Sequence, residues 1–283
     1  MKPLIFALLV ASTGCAVDAG SARESETNLR GLLPENAVVV GVAIAPDGTR
    51  YVLDRSGLYR LGESSATRVW STFRSGDETW ATDTGRSVVV KVEPTDVVAL
   101  DNQRFAVTAE NDGFLLDLRD QSFTSYFCYF PSTPATPAPT PSQPISISQT
   151  LQAQGIAAKQ RTESVAFNPV SHQLFAQPQT FRMDTSTLEG SELFVFGPAG
   201  GQPIRVIPLD PSFVAGGMVA TSDGRLIVGA RNAIYELTTA GRLNLLRELD
   251  AAITIAGMTR SPDGELWILD GAGQRLTTVR GLL

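Results

Sequence analysis

Histidine, cysteine and charged residues are all scarce in this sequence of 283 residues, and each scarcity excludes a class of function. One histidine and two cysteines are too few for most zinc sites, for Cys/His nucleophile systems and for a disulfide framework. Only 18% of the residues are charged, the formal net charge is −6, and lysine and arginine do not cluster. Because phosphate contacts need concentrated positive charge, nucleic-acid binding is disfavoured. The 43% of hydrophobic residues is enough for a core, which excludes wholesale disorder.

The apolar run at the N-terminus is too short to span a membrane. LIFALLVA at residues 4–11 contains 8 residues, whereas a bilayer core needs about 20. One basic residue before the run and small residues after it are typical of an export signal. STGC at residues 12–15 then resembles the lipobox of bacterial lipoproteins, which implies a signal peptide over residues 1–14 and a diacylglyceryl thioether on Cys15. The alternative is cleavage after VDA at residues 17–19, which would leave a secreted protein.

The second cysteine has no predicted disulfide partner in either alternative. Cys15 is acylated or removed, so Cys128 has no partner for an intramolecular disulfide. Cys128 lies between aromatic residues in the sequence, and we interpret it as a small buried hydrophobic side chain.

Two segments have the composition of loops. Residues 15–30 are small, polar and charged, and they predict a flexible tether. Residues 131–144 contain 6 prolines, which cannot form a helix or a central strand, so we predict an extended loop there, within an insertion at about 131–160. The repeats described next continue on both sides of it. We therefore predict one domain over residues 31–283, interrupted by this insertion.

Internal repeats indicate the fold. Three copies contain a short alternating strand, an Asp-Gly turn and a second apolar strand, with the turns APDG at 45–48, TSDG at 221–224 and SPDG at 261–264. Weaker copies start at Val97 and Val165. Glycine suits these turns because a tight hairpin demands a positive φ.

The spacing of the turns is that of propeller blades. Asp223 and Asp263 are 40 residues apart, and Asp47 and Asp101 are 54 apart. Periods of about 40 to 50 residues built only from strands are the signature of a β-propeller. We therefore predict an all-β propeller with five or six blades of four-stranded antiparallel sheet, the sixth being concealed at residues 70–92. The last copy is too short for a fourth strand, so a strand from residues 27–33 is predicted to close the ring.

With these motifs, the chain from residue 37 to 283 outside the insertion resembles the NHL, SMP-30 and YncE-like propellers. TESVAFNP at 162–169 is also similar to the opening of the esterase-like phytase propellers. The resemblance implies chemistry at the central channel, where SMP-30-like lactonases hold a divalent cation with oxygen ligands from the innermost strands. At the five matching positions this sequence has carboxylates only at Asp96 and Glu163, and glycine at two others. Hard cations prefer several oxygen ligands, so a metal centre is disfavoured.

The residue inventory favours a binding protein over an enzyme. We assign no catalytic residue, since His172 is predicted in a surface turn and a general base needs an oriented cleft. The prediction is a non-catalytic lipoprotein without cofactors, attached by its lipid alone to the bacterial cell envelope, facing the periplasm or the cell surface. Its propeller would bind a protein partner or a cell-surface component. The alternative is a metal-dependent SMP-30-like or phytase-like hydrolase or lactonase, in which Asp96 and Glu163 bind Ca²⁺ or another divalent cation.

Overall fold

The computed structural model describes most of the chain from residue 25 onwards. The described residues are 25–71, 80–81, 87–88, 94–109, 112–128, 146–198, 200–271 and 274–283. The predicted signal peptide, Cys15 and the six prolines of the insertion lie outside them. Cys128 lies within a strand, but its side chain is outside the described part.

Twenty-two strands and one helix make up this part of the chain. In chain order they are β1 (Ser25–Asn28), β2 (Val39–Ile44), β3 (Arg50–Asp54), β4 (Gly57–Leu61), β5 (Ala66–Ser71), β6 (Trp80–Ala81), β7 (Ser87–Val88), β8 (Pro94–Ala99), β9 (Arg104–Ala109), β10 (Asp112–Asp117), β11 (Ser122–Cys128), α1 (Ile147–Ala153), β12 (Ala158–Asn168), β13 (Gln173–Arg182), β14 (Leu188–Phe196), β15 (Pro203–Pro208), β16 (Gly217–Ala220), β17 (Leu226–Ala230), β18 (Ala233–Leu237), β19 (Leu243–Glu248), β20 (Ile255–Arg260), β21 (Leu266–Asp270) and β22 (Arg275–Val279).

The strands form five antiparallel blades of four strands each, which confirms the predicted propeller and sets the blade number at five. Blades 1 to 4 are β2–β5, β8–β11, β12–β15 and β16–β19, in simple up-and-down order. Blade 5 is β20–β22 with β1 as its outermost strand. The region in which a sixth blade was predicted contributes the end of β5 and the two-stranded ladder β6–β7 to the described structure.

The two ends of the chain close the ring, as the sequence predicts. β1 pairs antiparallel with β22, and Thr27 lies opposite Leu276. Leu29, which follows β1, is fully buried against Leu269 and Leu276. The closing strand covers Ser25–Asn28, so it occupies the last part of the segment predicted as a tether at 15–30.

Each junction between neighbouring blades contains its own hydrophobic cluster. Between blades 1 and 2, for example, Tyr51 packs edge-on against Phe105 with ring centroids 4.8 Å apart, and Leu53 and Val97 are buried beside them. The other four junctions are filled in the same way by aliphatic and aromatic residues of both blades. Alternating strands place one apolar face toward each neighbour, which is why hairpin repeats without helices build this ring.

The Asp-Gly turns join the first and second strands of their blades. Gly48, Gly224 and Gly264 have φ values of 85°, 89° and 85°, so each supplies the positive φ that the repeat predicts. In blade 3 His172 occupies the matching turn with φ 52° and is exposed.

The later part of the predicted insertion, after the proline run, contains a helix and the start of β12. Ser146 and Gln149 form a capping box at the start of α1, and β12 begins at residue 158. The backbone N–H of Ile147 donates to Glu192 Oε1 at 3.0 Å, which attaches α1 to blade 3. No helix among the described residues is long and apolar enough to cross a membrane.

Candidate functional site

The first strand of every blade lines the central channel. β2, β8, β12, β16 and β20 contact one another in a closed ring, each beside the first strands of the two neighbouring blades. We call the cavity where these strands begin the front cavity, and the cavity where they end the rear cavity.

A β-bulge interrupts four of these strands, at the second residue of β2, β8 and β20 and in the middle of β12. The pairing register skips Val40, Thr95, Glu163 and Ala256, one residue in each of blades 1, 2, 3 and 5. In blade 4 the matching residue is Gly216, directly before β16. A bulge turns its extra residue out of the ladder, and all five residues line the front cavity.

The front cavity has a volume of about 340 Å³ and carries charges of both signs. Arg55, Arg161 and Glu163 lie on its wall among aliphatic residues such as Val39 and Val214. Arg161 Nε lies 3.2 Å from Glu163 Oε1, with the arginine side chain 57% exposed and the glutamate side chain 16% exposed. Burial raises the pKa of Glu163, and the charge of Arg161 lowers it in part.

One residue further along each strand, the five innermost strands approach closely. A Cβ added to Gly217 would lie 2.5 Å from the backbone nitrogen of Met258, and one added to Gly257 would lie 3.3 Å from that of Val42. At Gly41 it would lie 2.9 Å from Asp96 Oδ1. Gly41, Gly217 and Gly257 of this layer are therefore glycine for a packing reason.

Asp96 belongs to this layer and is 1% exposed. Its Oδ2 accepts hydrogen bonds from Ser164 Oγ at 2.9 Å and from the backbone N–H of Val165 at 3.0 Å. Its Oδ1 accepts from the backbone N–H of Val97 at 2.8 Å. Burial raises the pKa of Asp96 to about 7, although these three donors lower it in part. The carboxylate thus connects blade 2 to blade 3.

The structure places the two predicted metal ligands in different surroundings. Glu163 lies in the front cavity, whereas Asp96 lies in the channel wall with donors on both oxygens and Gly41 against Oδ1. Over the described part of the chain, no three His, Cys, Asp or Glu side chains come together in a group that could hold a metal ion. A hard cation needs several oxygen ligands, so these residues do not fit one.

Sequence reasoning missed both arginines of the front cavity. Arg161 stands two residues before Glu163, and a strand places alternate residues on the same side, so that spacing was a usable signal. Arg55 lies in the turn between β3 and β4, and nothing in its neighbourhood of the sequence indicates a channel position.

Fold and site together define a five-bladed β-propeller with a polar front cavity and a tightly packed layer behind it. No family model and no curated protein matches the sequence. Among solved structures, the chain is similar to a gluconolactonase from Xanthomonas campestris, with 11% identity, TM-score 0.48, and coverage of 90% of this chain and 89% of that one. It is also similar to a streptogramin B lyase (11% identity, TM-score 0.46, 91% and 97% covered) and to the calcium-binding regucalcin from Agrobacterium tumefaciens (10%, 0.44, 88% and 92%). Similarity at this level does not indicate an activity.

Proposed function

We propose that the protein is a non-catalytic binding protein that receives its ligand in the front cavity. The observation that carries this proposal is the engagement of both channel carboxylates by the protein itself. Asp96 accepts three hydrogen bonds within the wall, and Glu163 pairs with Arg161. Asp96 stabilises the ring, and Glu163 orients Arg161. Both roles suit a binding surface better than a reacting centre.

The chemistry of the front cavity favours a ligand that carries a carboxylate beside an apolar group. Arginine presents a planar set of donors that matches a carboxylate, and Arg161 is more than half exposed. Val38 and Val214 are 47% and 42% exposed, and Val214 lies on the cavity wall. A protein partner with an acidic side chain, or a cell-surface component with a carboxylate, has the groups that complement this surface.

We further propose that Cys15 carries a lipid that holds the propeller at the bacterial envelope. Strand β1 begins at Ser25, so the ten residue steps from Cys15 would allow a separation of at most about 35 Å between propeller and membrane. We expect radioactive palmitate to label the wild-type protein in cells and not the Cys15→Ser variant. Unlabelled wild-type protein that is released from the cells would favour the secreted alternative.

Affinity capture from envelope extracts tests the binding proposal. We expect the wild-type protein to retain a partner, and Arg161→Gln to retain it at least about tenfold more weakly, as expected for a lost charged hydrogen bond. Arg205→Gln is the matched control, because Arg205 is an exposed arginine on the outermost strand of blade 3. Capture that is equal for wild type and Arg161→Gln, or no captured partner at all, would contradict the proposal.

A hydrolase or lactonase is the second candidate, and one observation favours it. Glu163 lines the front cavity and burial raises its pKa, as is common for a general acid or base. Assays with lactone and phosphate-ester substrates, with Ca²⁺ and with a chelator, separate the two candidates. Turnover by the wild-type protein that Glu163→Gln abolishes would establish the enzyme, whereas we expect no turnover above that of buffer.

A further inference from the structure

The rear cavity differs in character from the front cavity and has no place in the function proposed above. It has a volume of about 360 Å³ and is surrounded by the ends of all five innermost strands. Every blade contributes at least one apolar residue to its wall, among them Ile44, Val98, Phe167, Val219 and Met258. A cavity of this size, lined mainly by apolar side chains and by few polar groups, is typical of a small-molecule site.

One charged side chain, Arg260, is found among the described residues that line this cavity. Arg260 is the last residue of β20 and is partly buried, with its Nε shielded from solvent and without a hydrogen-bond acceptor. No described carboxylate pairs with it. Its Nη2 lies 3.6 Å from the position of a Cβ on Gly264, so the guanidinium lies against the turn that follows β20.

Arginines near the matching turns of two other blades have their own acidic partners. Arg104 Nε lies 2.6 Å from Asp101 Oδ2 in blade 2, and Arg225 Nε lies 2.8 Å from Asp223 Oδ2 in blade 4. Both of these arginines follow their turns, whereas Arg260 precedes its turn and its Nε has no acceptor among the described residues. A partly buried guanidinium nitrogen without an acceptor is unfavourable unless an anion supplies one.

We propose that the rear cavity binds an amphipathic monoanion. Its apolar part would replace water along the aliphatic and aromatic wall, and its anionic group would accept hydrogen bonds from Arg260. Pro46 and Pro262 line the cavity, and the residues that directly follow them, Asp47 and Asp263, are exposed. Their charges disfavour a ligand with a second negative charge near the rim.

Calorimetric titration with octanoate, octan-1-ol and octylammonium, each below its aggregation limit, tests the proposal. The three probes share one alkyl chain and differ in charge. We expect octanoate to bind saturably at one site per chain. It should bind at least about tenfold more tightly than the alcohol and the amine, because only its carboxylate forms a charged hydrogen bond with Arg260. Equal affinities for the three probes, or no saturable binding of octanoate, would overturn it.

Two variants locate the site, and a third serves as the control. Arg260→Gln should remove the preference for octanoate, and Ser222→Trp should block binding, because Ser222 is an exposed residue at the cavity. Arg225→Gln, which removes an arginine already paired with Asp223, should bind octanoate as the wild type does. Unaltered preference in Arg260→Gln together with unaltered affinity in Ser222→Trp would place the octanoate elsewhere and refute the assignment.

Discussion

The two ends of the central channel are built from the same five strands but present different chemistry. At the front, bulges turn Thr95 and Glu163 into the channel, and Arg161 pairs with Glu163. At the rear, the cavity wall is mainly apolar, and Arg260 has no described acidic partner. Bulged residues therefore set the chemistry of the front cavity, whereas regular strand residues line most of the rear cavity.

The layer that contains Asp96 lies between the two ends. We expect Asp96→Ala to have the largest effect on stability, lowering the free energy of unfolding by about 3 kcal/mol, because it leaves Ser164 Oγ and the N–H of Val165 buried without their acceptor. Urea denaturation measures this change.

Asp263→Ala is the control for that measurement, since Asp263 is exposed in a turn. Its effect should stay within about 0.5 kcal/mol. An Asp96→Ala protein as stable as this control would show that the layer does not depend on the carboxylate.

Gly217→Ala tests the close approach of the strands in the same layer. The added methyl group would lie 2.5 Å from the nitrogen of Met258, so we expect a loss of about 2 kcal/mol in unfolding free energy, within the range for overpacked sites. Gly31→Ala is the matched control, because nothing lies within 4 Å of its added Cβ. Equal stability of the two variants would indicate a more open channel.

The turns between the first and second strands of the blades determined how much of the fold could be predicted from the sequence. The Asp-Gly turns of blades 1, 4 and 5 were visible because the positive φ of Gly48, Gly224 and Gly264 restricts the residue type. Blade 3 was harder to see, because His172 takes the matching position. The helix α1 was missed, because the proline run before it dominated the interpretation of a seven-residue segment.

The site could be predicted only in part. Asp96 and Glu163 were singled out as candidate ligands because they are acidic residues at the starts of predicted innermost strands. The partner of Asp96 is Ser164, 68 residues away in another blade, and no local pattern connects the two. Arg260 was likewise missed, because only the folded ring shows that its Nε lies at the rear cavity without an acceptor.

Glu192, another glutamate of blade 3, is expected to make the stability of the protein depend on pH. Glu192 is 2% exposed and lies outside both cavities, with Oε2 unpartnered. Burial raises the pKa of Glu192 to about 7, against an ordinary value of 4.5, and the hydrogen bond from Ile147 lowers it in part. Between these values the folded protein holds a proton that the unfolded chain has released, so stability falls as the pH rises.

Unfolding free energy measured from pH 4.5 to 7 tests this dependence. We expect the contribution of Glu192 to reach at most about 1.4 kcal/mol per pH unit, and Glu192→Gln to remove it. Glu163→Gln is the comparison variant and should change the pH profile less, because the charge of Arg161 lowers the pKa of Glu163 and so opposes the effect of burial. An unchanged pH profile in Glu192→Gln would contradict the expected ionisation.

The smallest stability effect is expected at the front cavity itself. Arg161→Gln should change the free energy of unfolding by less than about 0.5 kcal/mol, because the pair with Glu163 is largely exposed on the arginine side. Chemical denaturation checks this value. A large loss would show that Arg161 supports the ring and would weaken its use as a probe of binding.

Thermal unfolding with and without excess Ca²⁺ or Zn²⁺ tests most directly whether the channel carboxylates serve the protein rather than a metal. Because Asp96 is engaged within the wall and Glu163 is the one carboxylate among the described residues of the front cavity, we expect an unchanged Tm. A metal-dependent rise in Tm that disappears in Glu163→Gln would contradict this expectation and would identify a metal centre at the front of the channel.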